Sequence, residues 1–195
     1  MNRYFVINKP YGVLSQFTDD EKRPTLATLF QFPKDVYPVG RLDMDSEGLL
    51  LLTNDKNLVD ILLNPKNKHE REYFVQVEGA VTAEALKKIE SGVIIQGNKT
   101  LPAGTKIIEE PGFPPRVPPI RFRKTIPTSW ISIALTEGKN RQVRKMTAAA
   151  GLPTLRLVRV RIENIHLGNM KPGDVKEINA KEISKLLNIK ASPKG

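Results

Sequence analysis

Few residues in this chain are equipped for catalysis. There is no cysteine, and the two histidines, His69 and His166, have no carboxylate or second histidine at ligand spacing. Disulfides, thiolate chemistry and a zinc site built on cysteine are thereby excluded, and a metal enzyme is not expected. Carboxylates, arginines and tyrosines remain. In GRLDMDSEGLLLLTND, residues 40–55, Arg41, Asp43 and Asp45 stand a few residues ahead of an uninterrupted apolar run. A carboxylate held on a tight loop at the edge of a rigid strand suits a catalytic group. A turn or cap aspartate has the same spacing, and composition does not separate the two readings.

A second constellation is EGKNRQVRKM, residues 137–146. On a helix starting near Asn140, Arg141, Arg144 and Lys145 fall on one face at spacings of three and four, and Val143, Met146, Thr147 and Ala150 on another. The helix start adds free N–H groups and partial positive charge, which favours phosphate. Taken alone, a charged helix face is equally a solvated one.

The elements that must position these groups follow from periodicity. YFVINKP reads as a strand ended by Pro10 and Gly12, and the stretch after Arg23 carries a short helix leading to the GRLD segment. Residues 48–53, GLLLLT, are too short for a helix and read as a strand buried on both faces. Asn54 or Asp55 caps a helix carrying Leu58, Ile61 and Leu62, which Pro65 stops. Tyr73, Val75 and Val77 alternate with Phe74, Gln76 and Glu78 as a strand, followed by a helix with Leu86 and Ile89 inside and Gly92 past its end. Trp130 to Thr136 is a strand, and Arg141 to Ala150 a helix capped by Asn140. TLRLVRVRI is a strand whose spacing changes at Leu157–Val158, the mark of a bulge. Strands outnumber helices without alternating with them, so the fold class is α+β around a mainly antiparallel sheet.

The chain's 195 residues, 39% of them hydrophobic, can bury a core. The formal charge is +10, and residues 116–161 hold eleven basic residues against Glu137 alone. An excess concentrated in one stretch is the footprint of a polyanion binder, with nucleic acid the obvious partner. Within it, Arg116, Arg121, Arg123 and Lys124 lie on a proline-stiffened loop, where Phe113, Val117, Ile120 and Phe122 interleave, and are candidates to grip RNA. The apolar runs fall short of the roughly 20 residues of a membrane span, and the protein reads as soluble and cytoplasmic. Residues 190–195 read as a disordered tail.

GRLDMDSEGLLLLTND and EGKNRQVRKM, preceded by NKPYG at residues 8–12, resemble the RsuA/RluB/RluE/RluF family of ribosomal RNA pseudouridine synthases, from about Tyr4 to about Ile178. PPIRFRKTIPTSW and LPAG are similar to segments of its RluE subgroup. The resemblance implies one catalytic domain, residues 1–189, in two lobes around a basic cleft. Family members often begin with an S4-type RNA-binding domain, which is not expected here because NKPYG lies at the very start.

The resemblance also implies roles. Asp43 matches the nucleophilic aspartate, and Tyr73 the tyrosine that lies against the target uracil. Arg144 matches the basic partner of the catalytic carboxylate, and Val143 the apolar residue behind the tyrosine. Arg41 is placed to fill the gap left by a flipped base, and Arg141 and Lys145 to contact RNA. Arg71 stands where a lysine is frequent. Pseudouridine forms by breaking the N-glycosidic bond, rotating the uracil and rejoining it through carbon five, so the base must leave the stack. An ionised aspartate can add to the ribose anomeric carbon or to ring carbon six; the sequence does not choose. No redox or energy input is needed, so no cofactor or metal is expected. The implied substrate is one uridine of large-subunit ribosomal RNA, acted on by a monomer. A paralogue acting on another ribosomal RNA site, and a non-catalytic RNA-binding or ribosome-assembly protein of the same fold, remain the rivals. Against the latter, a carboxylate in a cationic cleft would repel phosphate.

Overall fold

The apolar run at residues 48–53 forms most of a strand, Glu47–Thr53, in which every residue is buried. A computed structural model of the protein describes residues 1–121 and 123–187; Phe122 and the expected tail lie outside them. In chain order the strands are β1 (Tyr4–Lys9), β2 (Tyr37–Pro38), β3 (Glu47–Thr53), β4 (Arg71–Glu78), β5 (Ile94–Ile95), β6 (Asn98–Lys99), β7 (Gly104–Ile108), β8 (Thr128–Leu135), β9 (Thr154–Ile162), β10 (Ile165–His166) and β11 (Val175–Ile178). The helices are α1 (Lys56–Leu63), α2 (Ala83–Glu90), α3 (Gln142–Ala149) and α4 (Ala180–Leu186). The chain folds into two units, Met1–His69 with Arg159–Gly195, and Glu70–Val158.

In the first unit the hydrogen-bonded strand order is β11-β1-β3-β9, with β2 added to β3 and β10 to β9. β1 is antiparallel to both neighbours, so Phe5 lies opposite Leu52 on one side and Glu177 on the other. Leu49, Leu50, Leu51 and Leu52 have no exposed surface, and burial of each is worth about 1.5–3 kcal/mol. Asp55 caps α1: its Oδ1 accepts the Leu58 N–H at 3.2 Å while its Oδ2 accepts the Tyr4 hydroxyl at 2.8 Å. Leu58 and Leu62, four apart, form the buried face of α1.

The second unit has the order β9-β4-β8-β7. β4 and β8 pair antiparallel from Arg71 opposite Leu135 to Glu78 opposite Thr128, which sets Tyr73 across from Ile133. Val75, Val77, Ile131, Ile133 and Leu135 of these strands pack with Ile89 of α2 and Val143 and Met146 of α3. Thr82 caps α2 by accepting the Ala85 N–H at 3.1 Å.

The structure differs from the sequence reading in several places. The short helix expected after Arg23 is a single 3-10 turn, Leu26–Thr28. The cap of α3 is Arg141, in the left-handed region at φ +52° and without a side-chain hydrogen bond, and not Asn140; the Asn140 Oδ1 instead accepts from Lys145 Nζ at 3.3 Å. The broken alternation at Leu157–Val158 falls within four successive buried residues, Arg156 to Arg159, where β9 passes from the second unit to the first. His69, two residues ahead of β4, has a side chain 11% exposed, and its Nδ1 lies 3.1 Å from Glu163 Oε1.

Candidate functional site

Asp43 sits on the loop between β2 and β3, and the residues around it are pinned one by one. Upstream, the Ser15 hydroxyl donates to the Leu42 carbonyl at 2.7 Å and accepts the Leu42 N–H at 3.1 Å. Downstream, the Gly12 N–H donates to the Met44 carbonyl at 2.8 Å, and the Ser46 N–H donates to the Asp43 carbonyl at 3.0 Å, closing a turn. Gly12 ends NKPYG, so this motif is physically docked on the GRLD loop. The loop enters β3 through Gly48, at φ +102°, where a Cβ would lie 2.3 Å from the Arg159 carbonyl oxygen. Only glycine lets β9 pass so close. Asp43 itself is half-buried and Arg41 exposed. A half-exposed carboxylate on a loop fixed at both ends is held in one direction while staying accessible.

The sequence reading did not foresee the cation beneath this loop. Lys9 of NKPYG has no exposed surface, and its Nζ donates to the carbonyls of Pro10, at 2.9 Å, and Val13, at 2.7 Å. Burial pushes its ammonium down to about 8, against the carboxylates of Glu47, Asp45 and Asp43, which favour the charged form. Two acidic residues of this loop and Glu47 at the start of β3 thus act on a buried positive charge. The signal in sequence was only a lysine before Pro-x-Gly, which a surface lysine would give as well.

The other candidates belong to the second unit. Tyr73, on β4, is partly buried and packs against the core cluster that contains Val143. Arg144 is half-buried on the first turn of α3, Lys145 is half-buried beside it, and Arg141 is exposed. The Arg144 carbonyl accepts the Thr147 hydroxyl at 3.1 Å, which ties this turn to the helix body.

The proline-rich loop separates its four cations. Arg116 directs its guanidinium to backbone carbonyls, those of Pro118 at 2.9 Å, Leu155 at 3.4 Å and Pro119 at 3.4 Å. Arg123 pairs with Glu78 at 3.0 Å. Arg121 and Lys124 are exposed. Arg156, read only as one of several arginines in a strand, is buried, lies 5.4 Å over the Phe113 ring and donates to the Pro114 carbonyl at 3.0 Å. Part of the basic excess therefore builds the loop. Among the described residues, no three His, Asp or Glu side chains gather to hold a metal ion, and no helix is long and apolar enough to cross a membrane.

Comparison with known proteins completes the picture. Residues 3–149 match the RNA pseudouridylate synthase family. The chain is 54% identical over 160 residues to ribosomal large subunit pseudouridine synthase E of Xanthomonas axonopodis pv. citri, covering 80% of this chain and 84% of that one. It is 53% identical over 157 residues to the synthase E of Vibrio vulnificus, covering 80% and 67%. A crystal structure of a pseudouridylate synthase superposes with a TM-score of 0.79 at 27% identity, covering 95% of this chain and 74% of that one. The matched segment contains NKPYG, GRLD with its pinned loop, Tyr73 and RQVRKM, so the chain belongs to the RNA pseudouridylate synthase family and has its α+β fold.

Proposed function

We propose that this member of the family isomerises one specific uridine of large-subunit ribosomal RNA to pseudouridine, with Asp43 as nucleophile. The observation that carries the reading is Asp43 itself, a half-buried carboxylate between Leu42 and Met44, each held by backbone-directed hydrogen bonds from the NKPYG side. The relatives named for the large subunit support the choice of RNA.

In this reading the target base leaves the stack and Tyr73 receives it on its ring face, which is worth about 1–3 kcal/mol. Asp43 adds to the ribose anomeric carbon or to ring carbon six, the glycosidic bond to N1 breaks, and the uracil turns. Carbon five then bonds to the anomeric carbon, the bond from Asp43 to the anomeric carbon or to carbon six breaks and returns the free carboxylate, carbon five releases its proton and N1 takes one up, so no electron donor or acceptor enters the balance. Arg144 supplies positive charge for the carboxylate, and Val143 backs Tyr73. Arg41 fills the place left by the flipped base, while Arg141, Lys145, Arg121 and Lys124 hold phosphate. The enzyme acts as a monomer in the cytoplasm.

The test is release of tritium from RNA labelled at carbon five of uridine. Release by the wild type and none by a folded Asp43→Asn variant supports the nucleophile, and sequencing then maps the target. Absence of release from free large-subunit RNA, assembled subunits and transfer RNA alike, by a folded protein that binds RNA, would overturn the reading.

A further inference from the structure

Gln142, the first residue of α3, is 3% exposed, deep burial for an amide side chain. Each end of that amide has a partner. Its Oε1 accepts the Lys139 N–H at 2.9 Å, and its Nε2 donates to Glu137 Oε1 at 2.6 Å and lies 3.7 Å from Met146 Sδ. The same Glu137 oxygen accepts the Leu101 N–H at 2.8 Å, while Glu137 Oε2 lies 3.2 Å from Lys139 Nζ. LPAG begins at Leu101, so this buried pair joins LPAG to EGKNRQVRKM.

The pair acts at the point where the helix start is otherwise weakest. Arg141 holds a left-handed conformation and offers no side-chain cap, a combination that persists only when its surroundings over-determine it. The Gln142 amide supplies the missing anchor by taking the Lys139 N–H, and the Gln142 N–H closes the turn onto the Lys139 carbonyl at 3.1 Å. The consequence for Arg144 is geometric. Successive helical residues are about 100° apart, so positions 142 and 146 share a face and position 144 points away from it. Burial of Gln142 and Met146 therefore fixes the direction in which Arg144 leaves the helix. A start displaced by one residue would turn Arg144 by about 100°.

We propose that Gln142, braced by Glu137, is a positioning residue for turnover: it sets the start of α3 and so the direction of Arg144 and of the loop cations Lys139 and Arg141. The proposal rests on the reading of Arg144 as part of the site.

The experiment is the tritium-release assay on the full chain at saturating and limiting RNA. Gln142→Met keeps the length and removes the hydrogen bonds; the melting temperature drops because Glu137 and the Lys139 N–H lose a partner, and on the folded protein turnover falls about tenfold while the half-saturating RNA concentration rises by less than that. Combined with Arg144→Lys, the loss is less than the product of the separate losses, because one residue acts through the other. Gln142→Glu gives a readout that a merely structural role would not move. Its carboxylate faces Glu137, with Lys139 alongside, and two such groups share a proton on acidification, which restores the donor. Its turnover relative to wild type therefore rises from pH 8 to about pH 6, whereas that of Gln142→Met stays flat. Wild-type turnover in Gln142→Met, or a pH-independent deficit in Gln142→Glu that tracks a lower melting temperature, overturns the proposal. Should Gln142→Met not fold, the pH dependence of Gln142→Glu decides. A loss in Arg144→Lys with full turnover in Gln142→Met leaves the reading of Arg144 intact and removes only the positioning role. Full turnover in Arg144→Met, which removes the positive charge, overturns that reading itself.

Discussion

The hydroxyl of Ser15 brackets Leu42, donating to its carbonyl at 2.7 Å and accepting its N–H at 3.1 Å. One side chain therefore satisfies both backbone groups of the residue that precedes Asp43. Ser15 is 5% exposed and Leu42 is 6% exposed, so water does not readily replace the hydroxyl.

Ser15→Ala should expose the cost of leaving those groups unpaired. The expected loss is about 1–3 kcal/mol of unfolding free energy, measured by urea denaturation with an unchanged m-value. The Asp43 loop loosens, so turnover falls while RNA affinity, which Ser15 does not touch, holds. A stability equal to wild type would show that the two hydrogen bonds contribute nothing.

Lys9 ties stability to pH with a definite sign. Its ammonium titrates near 8 when folded and at the ordinary 10.5 when unfolded. Below about pH 8 both states hold the proton; between about 8 and 10.5 the unfolded state holds more, so folding stability rises with pH across that window. The rise attributable to Lys9 amounts to about 3 kcal/mol when complete. The stability of wild type minus that of Lys9→Met, followed by denaturant titration from pH 7.5 to 10, should climb accordingly. Turnover should move the other way, because neutral Lys9 no longer lends positive charge to the Asp43 loop.

Gly48 permits no side chain. At φ +102° and with the Arg159 carbonyl 2.3 Å from a would-be Cβ, Gly48→Ala must push β9 away from β3 or break the turn into the loop. The expected result is a loss of several kcal/mol, on the order of 3 or more, seen as a collapse of the thermal midpoint or as insoluble protein. A midpoint near that of wild type would mean that the two strands separate freely.

The cations of the proline-rich loop should divide by experiment as they divide by geometry. Arg121→Glu with Lys124→Glu, both exposed, should weaken RNA binding and lower the slope of log affinity against log salt by about 1 for each phosphate that is no longer neutralised, with little change in stability. Arg116→Ala should instead destabilise the fold by about 1–3 kcal/mol, because its guanidinium serves loop carbonyls. Equal effects of the two sets on the salt slope would refute the division.

What the sequence determined by itself is the set of elements whose signals are local. The run of leucines from Leu49 to Leu52 reads as a buried strand; the alternation at Tyr73, Val75 and Val77 sets one face of β4; the cap of α1 narrows to Asn54 or Asp55, of which the structure uses Asp55. The α+β class follows from such short-range patterns and the family from its ordered motifs, whereas Asp43 is singled out by the family resemblance, since its spacing is equally that of a turn or cap aspartate. Tertiary structure alone decided which polar residues are buried and what they hold. Lys9, Arg156 and Gln142 look like surface residues in any window of sequence, yet Lys9 donates to the Pro10 and Val13 carbonyls, Arg156 lies over the Phe113 ring, and Gln142 lies against Glu137. Their partners are backbone carbonyls, a ring or a second loop brought close by strand pairing, and no local periodicity encodes those approaches. The edge strands β7 and β11 escaped for a related reason: a strand with one neighbour and largely exposed side chains carries little apolar alternation, and its place is fixed by the strand it pairs with.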